Sequence, residues 1–312
     1  MRFKFIIKKW ANFYFFVQNL AEWHFSCRKD YNKEWKKELG KFSEREKIAL
    51  RKFKTIHLKY PYEKKYLGLP FFLNKNPWEK LKNVLTKAEF QTLQNVFSVF
   101  SGKFEYLYKR DFPFLKAWQK FLFEKVNRFP FNEKINKILA SFYRAPQIKD
   151  EVKVYLLVSG EKFGGSANLD KKSIVLEISR YPIKKENLWQ ILGTIWHEIA
   201  HSWFETYFLE PSLKKILKNE KEKTAQNKID AICEMTNRVL VHPEGILGEK
   251  FLKIPLEKER FSPKNLKIFL TWQNLVREYL KKHKPIDEAY IKKVLPLYSK
   301  IKKICYRLSL KK

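Results

Sequence analysis

The sequence predicts an α+β fold: a mainly helical chain with a small antiparallel sheet packed on one long, motif-bearing helix. Three observations predict it. Apolar residues recur at helical spacing over most of the 312 residues. Alternation at strand period is confined to two runs, Val152, Val154, Leu156 and Val158, then Ile174, Leu176 and Ile178. Gly160, Gly164 and Gly165 lie between the runs and Asn168 to Lys172 reads as a turn, which makes a hairpin or meander.

Taken in order, Phe3, Ile6, Ile7, Trp10, Phe13, Val17 and Leu20 recur at helical spacing, so the chain is expected to open as a helix with a core-facing stripe. Arg28 to Lys59 is densely charged and reads as solvated helix, and Tyr60 to Lys75, with Pro61, Gly68 and Pro70, as irregular. Asn76-Pro77 and the capping box Thr86/Glu89 start helices. Pro113 to Phe129 and Asn132 to Tyr143 continue the pattern until Ala145-Pro146 breaks it. After the strands come the long helix Glu186 to Leu209, a charged connector Pro211 to Thr224, and a second helix Ala225 to Val241. Ser262-Pro263 opens a helix to His283, and Pro285 opens another, interrupted at Pro296. The expected division is a basic helical region 1–144, a core 145–245 and a helical region 246–312.

Composition narrows the class. With 45% hydrophobic and 16% aromatic residues the chain is too apolar to be disordered. A net charge of +32 suits nucleic acid or an anionic membrane surface as partner. The excess is mostly lysine, however, and specific phosphate and base recognition leans on arginine. Cys27, Cys233 and Cys305 form neither a CxxC pair nor a disulfide framework, which points to a reducing compartment. No run of about 20 apolar residues predicts a transmembrane segment, and a cytoplasmic protein is expected.

The chemistry is concentrated in Thr194-Ile195-Trp196-His197-Glu198-Ile199-Ala200-His201-Ser202-Trp203, an HExxH pattern without a single Lys, Arg or Pro. Residues four apart share a helix face, so His197 and His201 can turn two imidazoles to one zinc ion. Glu198 beside them is placed to act as general base on a metal-activated water. A catalytic zinc usually takes a third protein ligand and keeps one position open. On the second helix Asp230 and Glu234 are four apart, beside the apolar stripe Ile229, Ile232 and Val239. One of the two would bind metal and the other would orient a ligand imidazole. His242, beside Pro243 at the end of that helix, is a further candidate ligand that reads rather as a capping or surface histidine. Phe204 and Tyr207 stand where a metzincin extension needs Gly and His, which excludes that subclass.

On these residues the stretch from about 150 to 245 resembles the gluzincin side of the zincin metallopeptidases, and more narrowly the ImmA/IrrE family. There a small sheet precedes the HExxH helix. A second helix carries an acidic ligand, with Asn or Asp four residues on, and ends in a Leu-Leu-Met-Pro-like sequence. Here Ile229-Asp230-Ala231-Ile232-Cys233-Glu234 is followed by Val239-Leu240-Val241-His242-Pro243. On that register Asp230 takes the ligand position and Glu234 the supporting one. The family's ligand is normally Glu, so Glu234 remains the alternative ligand. The resemblance implies a zinc-dependent endopeptidase acting on a protein or peptide, a regulatory protein in the narrower family. The substrate strand is expected along a sheet edge at Ile174 to Ser179, with Tyr207, His242 and Arg238 as candidates to stabilise the oxyanion. The competing reading is a basic nucleic-acid- or membrane-surface-binding protein whose zinc site is structural or vestigial.

Overall fold

The structure, a computed structural model, describes residues 1–23, 33–60, 66–159, 164–170, 173–179, 185–242, 244–252, 256 and 261–301. Four strands, β1 (Arg2–Ile7), β2 (Glu151–Ser159), β3 (Gly164–Asp170) and β4 (Ser173–Ser179), form one sheet in the order β1-β2-β4-β3. The expected mainly helical α+β fold is present, but the sheet is mixed rather than antiparallel. β1 and β2 are parallel, β2 and β4 are parallel, and only β3 runs antiparallel to β4. The reason is topological: the β3–β4 hairpin folds back so that its second strand, not its first, lies against β2.

The chain's opening also differs from the expected helix. Phe3 and Phe5 point into the core at period two, forming β1, and the helix α1 (Lys9–Leu20) starts only afterwards. Both periodicities run through these residues, and the parallel ladder to β2 decides between them. Segment 1–144 therefore contributes a strand to the sheet of the following segment.

The edges of this sheet are treated differently. On β1, the Asn127 amide accepts from the Phe3 N–H (2.7 Å) and donates to the Phe3 carbonyl (3.0 Å), and Gln119 donates to the Phe5 carbonyl (2.7 Å). Side chains of the helix α6 thus occupy the outer hydrogen-bonding edge, as a further strand would. Where β1 ends, Asn12 continues the ladder: its amide donates to the Leu156 carbonyl (3.1 Å) and accepts from the Val158 N–H (3.0 Å). At the opposite margin β3 is the edge strand.

The remaining helices are α2 (Lys33–Leu39), α3 (Glu44–Lys59), α4 (Leu69–Leu73), α5 (Pro77–Lys82), α6 (Lys87–Asn127), α7 (Asn132–Tyr143), α8 (Lys185–Ile199), α9 (Leu209–Ile216), α10 (Glu222–Leu240), α11 (Pro263–Lys281) and α12 (Glu288–Ile301). Local signals set their starts. Thr86 and Glu89 form the expected capping box, and Asn76 and Ser262 accept from backbone N–H groups of their first turns. Pro113, expected near the start of a helical stretch, lies exposed in the middle of α6, and Pro296, expected to interrupt a helix, lies inside α12. The irregular and connector segments contain the short helices α4 and α9.

A continuous apolar core joins the N-terminal helices to the sheet. Phe13 stacks on Phe104 with centroids 4.3 Å apart, and Phe71 on Phe97 at 5.0 Å. Fully buried His57 is held neutral within it. Its Nδ1 donates to the Phe53 carbonyl (2.8 Å) and its Nε2 accepts from the Tyr14 hydroxyl (2.9 Å), while burial lowers its pKa to about 4. Among the described residues no helix is long and apolar enough to cross a membrane. Cys233 is buried and free, and Cys27 and Cys305 lie outside the described residues.

Candidate metal centre

Helix α8 buries Ile191, Leu192, Ile195, Trp196 and Ile199 against the sheet and the helices around it, and Trp196 donates to Asn132 (3.3 Å). That packing leaves His197, Glu198 and His201 on a shared side. Past Ile199 the helix widens into a π-turn, Ala200–Phe204, closed by the Glu205 N–H on the Ala200 carbonyl (3.0 Å). A π-turn inside a helix frequently marks a functional site. Here it contains His201.

Helix α10 runs alongside, with Ile229, Ile232, Cys233, Thr236 and Val239 buried and Glu234 turned to the histidines. His197 Nε2 lies 3.1 Å from His201 Nε2, and Glu234 Oε2 lies 3.2 Å from the latter and 3.3 Å from the former. Two imidazole nitrogens so close need a proton or a cation between them. Tetrahedral zinc with bonds of about 2.0–2.1 Å sets its ligand atoms roughly 3.3 Å apart. The three edges of the triangle fit that value, and three donors leave a fourth direction open. His197, His201 and Glu234 could therefore hold a metal ion.

Of the two candidates expected for the third ligand, Glu234 and not Asp230 joins this triangle. Asp230, one turn earlier on α10, is exposed, and its carboxylate accepts from Gln226 (2.7 Å). The two acids share a helix face, but the axial offset between α8 and α10 brings Glu234 level with the imidazoles.

The supporting shell was not read from the sequence. His201 Nδ1 faces both oxygens of Glu205 at 3.1 and 3.0 Å, which turns its Nε2 to the triangle. Asn237 donates to Glu205 Oε2 (2.7 Å) and accepts from the Tyr143 hydroxyl. The only available signal for Glu205 was its place four residues after His201. His197 lacks such support: its buried Nδ1 has no hydrogen-bond partner among the described residues.

Electrostatics follow from this crowding. Burial lowers the His197 pKa. Burial acts the same way on His201, but Glu205 and Glu234 outweigh it and hold its pKa well above the ordinary value. For Glu234, burial is outweighed by the two imidazoles, and its pKa lies well below the usual carboxylate range. For Glu198 the compensation falls short. Burial pushes its carboxyl up to about 8, with His201 opposing and Glu234, Glu177 and Glu205 adding to the rise.

Glu198 also sets the relation to the sheet edge. A Cβ on Gly165 of β3 would stand 2.8 Å from Glu198 Cγ and 2.9 Å from its Oε1, so the edge strand passes directly over this side chain. The expected substrate edge, Ile174 to Ser179, is β4, which is paired on both sides by β2 and β3; the edge at the site is β3. Of the three oxyanion candidates, Tyr207 is exposed and packs on Trp203 (centroids 6.0 Å). His242 stands edge-on to His197, with centroids 5.6 Å apart. Arg238 is buried between Glu234 (3.9 Å) and Glu244 (3.8 Å), and its Nε has no partner among the described residues.

No protein-family model, curated protein or solved structure matches this chain. Its function has to be read from the site's own chemistry.

Proposed function

We propose that the chain is a zinc-dependent metallopeptidase of the gluzincin type, with His197, His201 and Glu234 as ligands and Glu198 as general base. The observation that carries this reading is the near-equilateral triangle of two imidazole nitrogens and one carboxylate oxygen, with Glu198 next to His197 in the chain. Zinc held there would lower the pKa of a bound water to about 7 and polarise a carbonyl.

The chain's own groups supply the rest. An extended substrate adds to the β3 edge by backbone pairing, which brings its scissile bond across Glu198. Glu198 takes a proton from the water that attacks the carbonyl carbon, and then delivers it to the departing amine nitrogen. A carboxyl tuned toward neutrality suits both halves of that task. Arg238, 3.9 Å from Glu234, and His242, edge-on to His197, would supply donors to the developing negative oxygen.

A glutamate ligand agrees with the gluzincin resemblance, while its position shifts the ImmA/IrrE register by one turn. Cleavage of a regulatory protein in the cytoplasm is the finer reading that the narrower resemblance adds. The test is proteolysis of an unfolded, dye-quenched casein by zinc-loaded protein and by Glu198→Gln. The proposal expects the variant to keep its zinc and lose at least about 100-fold in rate. Full activity in zinc-loaded Glu198→Gln would remove the mechanism. An inactive wild type whose DNA or vesicle binding falls steeply with salt would favour the binding-protein reading.

A further inference from the structure

Away from the metal centre, α7, the segment 246–250 and the C-terminal end of α11 border a half-open cavity of about 870 Å³. That is within the range of small-molecule sites, roughly 300–1,000 Å³. Its floor is apolar, with Ile138 and Leu280 partly exposed in it and Phe142 and Leu247 buried beneath. Its rim is cationic: Lys134, Lys137, Lys250, Arg277, Lys281 and Lys284.

A lysine-rich chain scatters cations everywhere, so the local ratio decides whether this rim means anything. The whole chain carries 65 Lys and Arg against 33 Asp and Glu, about two to one. At the cavity six cations face a single carboxylate, Glu249. Arg277 takes that carboxylate at 2.6 Å, so the lysines remain in excess. Lys134 and Lys250 both lie over the Phe251 ring at 5.6 Å, which draws their charge to one side of the mouth.

We propose that this cavity binds a single-chain amphiphile with an anionic head, its acyl body on the apolar floor and its carboxylate or phosphate among the rim lysines. A body without charge would leave the rim unanswered, and a bare anion would leave the floor wet. Of the rings that line the cavity, Tyr279 donates its hydroxyl to Asp287 at 2.7 Å, Phe142 is buried and packs edge-on against Tyr143, and His283 is exposed. Stacking of a nucleotide base would rest on the His283 imidazole alone. The site is independent of the metallopeptidase reading, since none of its residues belongs to the metal centre.

The experiment is a titration of the full chain with dansyl-undecanoic acid, followed by displacement with dodecanoate, dodecyl phosphate, dodecanol and inorganic phosphate at constant ionic strength. The proposal expects saturable binding of one probe per chain. Either dodecyl anion displaces it, the better one identifying the head group, and dodecanol and inorganic phosphate do not. Ser141→Trp, at an exposed lining position, fills the cavity without altering charge and should weaken binding at least ten-fold. Lys137→Glu/Lys284→Glu should do the same, while the charge-matched Lys52→Glu/Lys54→Glu on α3 should bind like wild type. Displacement by dodecanol as effective as by dodecanoate, unchanged binding in Ser141→Trp, or an equal loss in the α3 variant would each overturn the proposal. Circular dichroism and thermal melting of each variant separate loss of the site from loss of the fold.

Discussion

His201 and Glu205 form a part-buried imidazole–carboxylate pair across the π-turn, with Nδ1 3.0 Å from Oε2. The pair fixes which ring nitrogen faces the other two donors. Because burial opposes charge on both groups, the arrangement is costly unless His201 Nε2 is used. Glu205→Gln should keep the geometry and weaken the orienting interaction, lowering zinc affinity roughly 10–100-fold. Competition with a chromogenic chelator measures this, and unchanged affinity would mean that Glu205 serves only the fold.

Asp230 and Glu234 should separate cleanly. Asp230→Asn removes an exposed charge bonded to Gln226, so zinc affinity should stay within about two-fold. A large loss of zinc in Asp230→Asn would return the ligand to the position expected from the sequence.

Gly165 admits Glu198 under the edge strand. In Gly165→Val the new side chain would collide with Glu198 Cγ and Thr194 Cγ2, both 2.8 Å from the Cβ position. The expected outcome is a fall in kcat of about 100-fold, as for other small displacements of a reacting group, with zinc content unchanged. If kcat is unaffected, substrate and Glu198 do not meet beneath β3.

His57 gives the fold a pH dependence of known sign. Its pKa is about 4 in the folded protein against an ordinary 6.5. Between those values the unfolded chain binds a proton that the folded chain refuses. Stability from this group is therefore complete above about pH 6.5 and declines as pH falls toward 4, by roughly 3 kcal/mol in all. Urea denaturation of wild type and His57→Gln from pH 7 to 4.5 should give a shallower slope in the variant. Parallel slopes would place the neutral imidazole elsewhere than between Tyr14 and Phe53.

How far the site was legible depended on the range of the interaction. His197 and His201 were readable because their four-residue separation alone brings them together. The caps at Asn76, Thr86 and Ser262 were readable for the same reason: each bond closes within three residues. The choice between Asp230 and Glu234 rests on how far α10 slides along α8, a packing quantity that no local pattern carries. Glu205 was obscured by the π-turn, which breaks the 3.6-residue repeat where the reading relied on it. β1 was hidden because Phe3 and Phe5 fit period two while Phe3, Ile6 and Ile7 fit a helix turn. The deciding bonds, from Asn127 and Gln119 on α6, span more than 110 residues.

The most direct test of the metal centre is a zinc count. Protein loaded with zinc, dialysed against a weak chelator and analysed by inductively coupled plasma mass spectrometry should hold one zinc per chain. Glu234→Gln and His201→Ala should each hold close to none while melting as cooperatively as the metal-free wild type. A wild type without zinc, or a Glu234→Gln variant that retains it in full, would contradict the assignment.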